Sequence, residues 1–195
     1  MKSSQRHDKG TVLQLLSEHV SSDRKERDDV DFIDRFVREH DTVFGKANPE
    51  GHITGSALVV DNRHRILLTY HKKLKRWLQL GGHSEVDESN PATTAYREAV
   101  EESGLEDLAF EPRLGPIPID IDVHVIPARR SETAHYHLDF RYLLRTNEPG
   151  QIELTDESDA LEWVSLSETE NLGFDPALAR AIDKARKLLD RDIEP

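Results

Sequence analysis

The feature that most constrains this chain is an acidic helix that the sequence predicts between Asn90 and Gly104. Asn90 and Pro91 form a start signal, because asparagine caps helix N-termini and proline is favoured at the first helical position. Gly104 follows the last apolar residue of the pattern, where a left-handed C-cap is expected. The apolar stripe that this helix must bury consists of Ala92, Ala95, Tyr96, Ala99 and Val100.

Three glutamates of the predicted helix are spaced at i, i+3 and i+4, which places Glu98, Glu101 and Glu102 on one face. Like charges at this spacing destabilise a bare helix by about 0.2–0.5 kcal/mol per pair. Arg97 relieves part of the repulsion if it pairs with Glu101. Such a cluster indicates a bound cation. Because its ligands are all oxygen atoms, we expect a hard ion, with Mg²⁺ as the first choice and Mn²⁺ as the second.

The segment that contains this helix resembles the signature of Nudix hydrolases. That signature reads Gly, five residues, Glu, seven residues, Arg-Glu, an apolar residue, any residue, Glu-Glu, any residue, Gly and an apolar residue. The matching positions here are Gly82, Arg97, Glu98, Ala99, Glu101, Glu102, Gly104 and Leu105. Glu88 has the family's spacing from Gly82, but eight residues instead of seven separate it from Arg97. We expect a one-residue insertion before Asn90, and the role of Glu88 stays open.

The resemblance implies a fold, a reaction and a set of site residues. The fold is an α/β/α sandwich with a mixed sheet, and the likeness covers roughly residues 51–189. The reaction is hydrolysis of a diphosphate linkage in a nucleoside diphosphate derivative, with Glu98, Glu101, Glu102 and the Gly82 carbonyl as metal ligands. Arg97 would hold the carboxylates in place. Glu98 is the first candidate for the general base and Glu157 the second, although Glu157 also reads as one more solvated acid in an acidic loop.

Two further groups of residues are candidates for substrate binding. A basic loop at residues 71–76 contains Arg76 and could receive phosphates, although charged loops are usually only solvated. Two predicted strands, at 117–126 and 135–145, alternate apolar and polar residues and could pair to join their polar faces. Three interpretations of the joined face stay open: a substrate-recognition wall, an accessory metal site and a solvated sheet face. Its candidate residues for substrate binding are His124, His135, His137 and Arg141.

The rest of the chain predicts a two-part organisation. Residues 1–48 form a helical extension, with helices at 11–20 and 30–44 separated by a charged segment at 21–29. Residues 49–195 form the Nudix-like domain, whose first strands are expected at 52–61 and 65–70 and whose closing helix is expected at 176–189. The extension reads as a cap on the sheet or on a second subunit. A substrate lid or the arm of a homodimer is the alternative.

Composition excludes several functional classes. With 26 basic and 38 acidic residues, the net charge of −12 argues against binding to duplex nucleic acid or to an anionic membrane. No apolar run is long enough to span a bilayer and no signal-peptide core is evident, so the cytoplasm is expected. The chain has no cysteine, whereas the isopentenyl diphosphate isomerases that share the Nudix fold use a catalytic one. A catalytically silent nucleotide-binding domain remains the alternative to a hydrolase of small nucleotide-type substrates.

Overall fold

The computed structural model describes residues 4–129, 132–155 and 158–190. Its helices are α1 (Ser4–Glu18), α2 (Arg24–Glu39), α3 (Pro91–Ser103) and α4 (Pro176–Asp190). Its strands are β1 (Gly51–Asp61), β2 (Arg65–His71), β3 (Arg76–Leu78), β4 (Leu80–His83), β5 (Ala109–Phe110), β6 (Asp120–Ile126), β7 (His135–Thr146) and β8 (Ser158–Ser165). Short 3₁₀ turns lie at Pro149–Gln151 and Thr169–Leu172.

The strands form one mixed sheet of eight strands, in which β1 is central. The main path runs β3-β2-β1-β7-β5, while β4 pairs with β1, β6 with β7 and β8 with β2. The long β1–β7 pair is parallel and the other pairs are antiparallel. β1 is buried along its whole length, as expected of a strand covered on both faces.

Helices cover both faces of this sheet, which confirms the predicted sandwich. On one face, Ala57 and Val59 of β1 pack in a cluster with Ala99 of α3. On the other face, Leu58 and Val60 pack in a cluster that includes the inward side of α4. The alternation of β1 side chains between the two faces therefore separates two apolar layers, and α3 is fixed against the sheet by the first of them.

The N-terminal helices share the core of the sheet. Val12 of α1 and Ile33 and Val37 of α2 are fully buried in one cluster with Ile53 and Phe140 from the central strands. Packing of this kind favours the cap interpretation of residues 1–48. The division of the chain at residue 48 stays a prediction. No helix within the described ranges has the length and apolar character needed to cross a bilayer.

The bounds of α2 differ from the prediction, which started a helix at residue 30 and treated 21–29 as a charged segment. α2 begins at Arg24, because the side chain of Asp23 caps it by accepting a hydrogen bond from the backbone of Glu26 at 2.8 Å. Glu26 itself is fully buried and accepts hydrogen bonds from Lys184 of α4 at 2.5 Å and from the backbone of Ile121 at 3.2 Å. The charged segment is therefore part of the helix and links it to β6 and α4.

Candidate active site

Local sequence signals place α3 as expected. The side chain of Asn90 accepts a hydrogen bond from the backbone N–H of Ala92 at 2.9 Å, and Pro91 is the first helical residue. Gly104 ends the helix in the left-handed conformation, at φ 72°, and its N–H donates to the carbonyl of Val100. Both predicted caps are confirmed, and they fix which residues of the signature face the sheet.

Two glycines of β4 let the sheet approach the glutamates of α3 closely. Gly81 has φ 148°, and a Cβ there would lie 2.6 Å from the Cα of Ser56 on β1. A Cβ on Gly82 would lie 2.5–2.6 Å from the carboxylate atoms of Glu98. Glycine at 82 therefore leaves space for the Glu98 carboxylate directly against the strand backbone.

The three glutamates of the signature occupy different environments. The backbone N–H of Gly81 donates to the Oε2 of Glu102 at 3.0 Å, and Glu98 and Glu102 both line the large cleft of the protein. The side chain of Glu101 is 58% exposed and accepts a hydrogen bond from Arg97 at 3.0 Å. Burial raises the pKa of the Glu98 carboxyl, and the hydrogen bond from Arg97 offsets only part of this effect.

Arg97 organises the acidic side of α3. Its guanidinium donates to Glu98 at 2.8 Å, to the carbonyl of His83 at 2.9 Å and to Glu88 at 3.0 and 3.3 Å, besides its contact with Glu101. Glu88 also accepts from the hydroxyl of Thr94 at 2.8 Å. Although burial alone would raise the pKa of Glu88, these bonds lower it below its ordinary value. Glu88, whose role the sequence left open, thus anchors the arginine.

The donor set at the junction of α3 and β4 fits a hard divalent ion. Glu98 and Glu102 supply carboxylate oxygens at the cleft, and the Glu98 carboxylate lies in the space that a side chain at 82 would fill, beside the backbone of that residue. Oxygen donors of this kind suit Mg²⁺ or Mn²⁺. In the described part of the chain, the oxygens of Glu98, Glu101 and Glu102 do not come within 4.8 Å of one another as a set. Of the three glutamates, Glu98 and Glu102 line the cleft.

The residues predicted to bind substrate lie around the same cleft, which has a volume of about 1470 Å³. Those lining it are Arg76, His124, His135, His137 and Arg141, together with Gly82. The expected pairing of the two polar strands is present, because β6 and β7 place His124 opposite His137 and Asp120 opposite Arg141. Glu157 lies outside the described residues, so its predicted role as a base stays a prediction.

Arg141 is buried in an ion network at the floor of this cleft. Its side chain is 4% exposed, and its guanidinium contacts Asp139 at 3.0 Å, Asp120 at 3.2 Å and Asp122 at 3.4 Å. Because these carboxylates already occupy its donors, Arg141 is placed to fix the polar strands. Asp139 in turn accepts a hydrogen bond from the hydroxyl of Ser56 on β1, at 2.7 Å.

Two histidines at the cleft were missed by sequence reasoning. His52 of β1 and His83 of β4 lie beside His137 of β7, because His52 is in parallel register with His137 and β4 pairs with β1. Burial lowers the pKa of His52 and His83 to about 4, and that of His137 to about 2, so all three are neutral at pH 7. In the sequence, only the position of His83 directly after Gly81 and Gly82 could have indicated that it lies at the site.

The geometry agrees with comparisons to known proteins. A family model described as "NUDIX domain" matches residues 51–185. A Lactococcus lactis subsp. cremoris protein named "Probable DHNTP pyrophosphohydrolase" is 37% identical over 106 residues, an alignment that covers 53% of this chain and 60% of that protein. The chain thus spans less than two thirds of this curated relative.

Solved structures show the same fold. A NUDIX-family hydrolase from Clostridium perfringens superposes with a TM-score of 0.55 at 28% identity, covering 72% of this chain and 99% of that one. The E. coli dihydroneopterin triphosphate pyrophosphohydrolase superposes with a TM-score of 0.52, covering 73% and 97% of the two chains. At 16% identity, this second likeness shows the fold alone.

Proposed function

This chain belongs to the Nudix family, and from that premise we propose that it is a Mg²⁺-dependent hydrolase of a diphosphate linkage in a nucleoside diphosphate derivative. The observation that carries the proposal is the placement of Glu98 and Glu102 at the cleft, against the backbone of Gly81 and Gly82. An anionic diphosphate resists attack by water unless its charge is neutralised and its phosphorus is positioned. Two carboxylates on a rigid helix at the edge of a polar cleft meet the first requirement through a bound cation.

Glu98, Glu102 and the Gly82 carbonyl are proposed to hold Mg²⁺, with Mn²⁺ as a substitute. When bound, the ion would neutralise phosphate charge and lower the pKa of a bound water. Glu98 is proposed to orient that water and accept its proton, since its carboxylate lies at the cleft against the backbone of Gly82. Glu101 is assigned to the outer side of the site, where it keeps Arg97 in place.

The remaining roles follow from position around the cleft. Arg97 is proposed as a positioning residue, because it contacts Glu98 and the carbonyl of His83. Arg76 lies at the rim, with its side chain 53% exposed, where it can meet the phosphates of a substrate. His124 and His135 are proposed to form the wall next to them. Arg141 keeps that wall in shape through its carboxylate contacts.

The substrate class is proposed from the cleft and from the relatives. A cleft of about 1470 Å³ exceeds the roughly 300–1,000 Å³ of ordinary ligand sites, so it admits a nucleotide or a larger conjugate. The name of the Lactococcus lactis relative adds DHNTP to the candidates. Nucleoside triphosphates with oxidised bases, nucleotide sugars and dinucleoside polyphosphates complete the set. The predicted homodimer is separate from this proposal and is tested by sedimentation of the purified protein.

A substrate panel tests the proposal. The purified protein is assayed with these compounds in the presence of Mg²⁺, Mn²⁺ or chelator, and the products are identified by mass spectrometry. We expect hydrolysis that needs the divalent ion and that falls by at least about 100-fold in Glu102→Gln, because electrostatic groups at the reacting centre contribute that much. Glu106→Gln is the matched control, since Glu106 is an exposed acid just beyond α3.

Two results would reject the proposed mechanism. The first is full activity of Glu102→Gln without divalent ions. The second is saturable binding of a nucleotide with no turnover under any metal, which would support the silent binding domain instead. Equal loss of activity in the Glu106→Gln control would show that the glutamine substitutions act through stability, and thermal unfolding of both variants separates that effect from catalysis.

A further inference from the structure

Three buried or half-buried histidines from different strands meet in the cleft, next to the glutamates of α3. The histidine cluster consists of His52 on β1, His83 on β4 and His137 on β7. Each offers a ring nitrogen that lies within 4.8 Å of those of the other two. The ring centroids form a nearly equilateral triangle, with separations of 4.9, 5.0 and 5.1 Å. Three imidazoles arranged around one point form a candidate site for an ion at the centre of the triangle.

We propose that His52, His83 and His137 form a second metal site, which takes a divalent transition ion of the Zn²⁺ class at a position separate from the carboxylates of α3. The Nε2 atoms of His83 and His137 are 3.2 Å apart. Two nitrogens bound tetrahedrally to Zn²⁺ at about 2.0–2.1 Å are separated by about 3.3 Å. The spacing of these two nitrogens is therefore close to that required by a shared ion.

His52 supplies an independent observation. Its side chain is part of the cleft lining although the residue is only 3% exposed. Among the described residues, neither of its ring nitrogens finds a hydrogen-bond partner. Buried polar atoms are nearly always satisfied, and an orphaned one requires an explanation such as an ion. Coordination by one of these nitrogens gives that explanation.

The scaffold of the cluster is rigid and already formed. His52 and His137 are direct partners in the parallel β1–β7 ladder, and β4 brings His83 in by pairing with β1. His124 lies against His137 with a centroid distance of 5.3 Å, and the Oδ2 of Asp122 is 3.0 Å from its Nδ1. The Asp122 carboxylate therefore orients His124, which borders the cluster and is not one of its proposed ligands. Three protein ligands and an open side toward the cleft correspond to a site that keeps one coordination position for water or substrate oxygen.

The chemistry of the donors selects the ion. Neutral imidazoles suit Zn²⁺, Co²⁺, Ni²⁺ and Cu²⁺, whereas Mg²⁺ prefers oxygen ligands. A direct phosphate site is the competing interpretation, and it predicts that no transition ion is retained by the three histidines. The inference gives His137 a more specific role than substrate contact, and it does not depend on the proposed hydrolysis.

Cobalt titration of the full-length, untagged protein tests the inference. The protein is freed of metal with chelator, dialysed and titrated with Co²⁺, with and without a large excess of Mg²⁺. In the excess of Mg²⁺, which occupies the oxygen-donor site, we expect one Co²⁺ per chain with the visible absorption bands of a nitrogen-rich low-coordinate site. His52→Ala and His137→Asn are each expected to weaken binding by at least about tenfold, since even indirect partners of metal ligands have effects of that size.

Matched variants distinguish this site from the glutamates. His64→Asn removes a histidine from the turn between β1 and β2, and asparagine tolerates the positive φ of 56° found there. It is expected to bind Co²⁺ like the wild type, as is Glu102→Gln. Retained binding in both His52→Ala and His137→Asn, or loss of binding in Glu102→Gln alone, would overturn the inference.

A second measurement needs no variant. X-ray absorption at the zinc edge of the wild-type protein with one equivalent of Zn²⁺ is expected to show imidazole scattering and nitrogen ligands at about 2.0–2.1 Å. Oxygen-only ligation, or no retained zinc, would contradict the site. The metal-free protein assayed with Mg²⁺ alone reports on hydrolysis, so the failure of one proposal can be told from the failure of the other.

Discussion

Replacement of Arg97 by lysine separates the charge of the arginine from its geometry. The guanidinium makes five hydrogen bonds, to Glu88 (two), Glu98, Glu101 and the carbonyl of His83, at 2.8 to 3.3 Å. An ammonium group keeps the charge but has three donors at a single point, so it loses at least two of these bonds. The bonds lost first are those by which the planar guanidinium holds Glu98 and Glu88 together.

The magnitude of the effect on stability follows from those lost bonds. A hydrogen bond to a charged group contributes about 1.5–3 kcal/mol, and the side chain of Arg97 is 25% exposed, which favours the lower end. Arg97→Lys is therefore expected to cost about 3 kcal/mol of unfolding free energy. For a chain of this size, that corresponds to a Tm lower by about 6–12 °C.

The effect on activity is expected to be larger. Displacement of a catalytic group by about 1 Å can reduce turnover by about 100-fold. Glu98 loses its fixed position when the guanidinium that holds it is replaced by an ammonium group. The assay compares kcat, the Mg²⁺ concentration for half activity and Tm of wild type and variant. Arg38→Lys is the control, because the side chain of Arg38 is 60% exposed where it pairs with Asp34, and the change is expected to leave Tm and kcat close to those of the wild type. Wild-type kcat and Mg²⁺ dependence in Arg97→Lys would refute the positioning role.

Two further predictions concern the glycine at the site and the buried glutamate of α2. Gly82→Ala is expected to reduce kcat by at least about tenfold with a small change in Tm. The new Cβ would lie 2.5–2.6 Å from the carboxylate of Glu98, which would have to move aside. Steady-state kinetics and thermal unfolding check this prediction, and an unchanged kcat would count against it. Glu26→Gln is expected to cost about 1.5–3 kcal/mol at pH 7, since it removes the buried carboxylate that accepts from Lys184, which keeps only Asp120 at 2.9 Å as its buried acidic partner. Although burial alone would raise the pKa of Glu26, hydrogen bonds from His19 and Lys184 lower it, so this stabilisation is present above about pH 4.3 and is lost as the pH falls through the lowered folded pKa. Urea unfolding should therefore show a wild-type advantage that shrinks below pH 4, and an advantage that grows on acidification would contradict the assignment.

The acidic helix could be predicted because its signals are local. Asn90, Pro91 and Gly104 act within one turn of themselves, and each occupies the position that its backbone chemistry predicts. The alternating pattern of β6 and β7 was equally informative, because side chains alternate between the two faces of a strand whichever strand it pairs with. In the structure, this pattern places His124 directly opposite His137.

The remaining parts depend on contacts that a single sequence does not carry. His52 reaches His137 only through parallel pairing of β1 with β7, and no local pattern specifies that register. The buried contact of Glu26 with Lys184 joins residues far apart in the chain, so the charged segment predicted to separate two helices forms the beginning of α2 from Arg24 onward. The role of Glu88 likewise depends on a tertiary contact, the hydrogen bond that it accepts from Arg97.

Anomalous diffraction from crystals soaked in Mn²⁺ tests the central claim most directly. We expect a manganese peak between the carboxylates of Glu98 and Glu102, within ligand distance of the Gly82 carbonyl, and no such peak in crystals of Glu102→Gln. Manganese bound elsewhere, with both carboxylates turned to solvent, would contradict the proposed metal-dependent hydrolase.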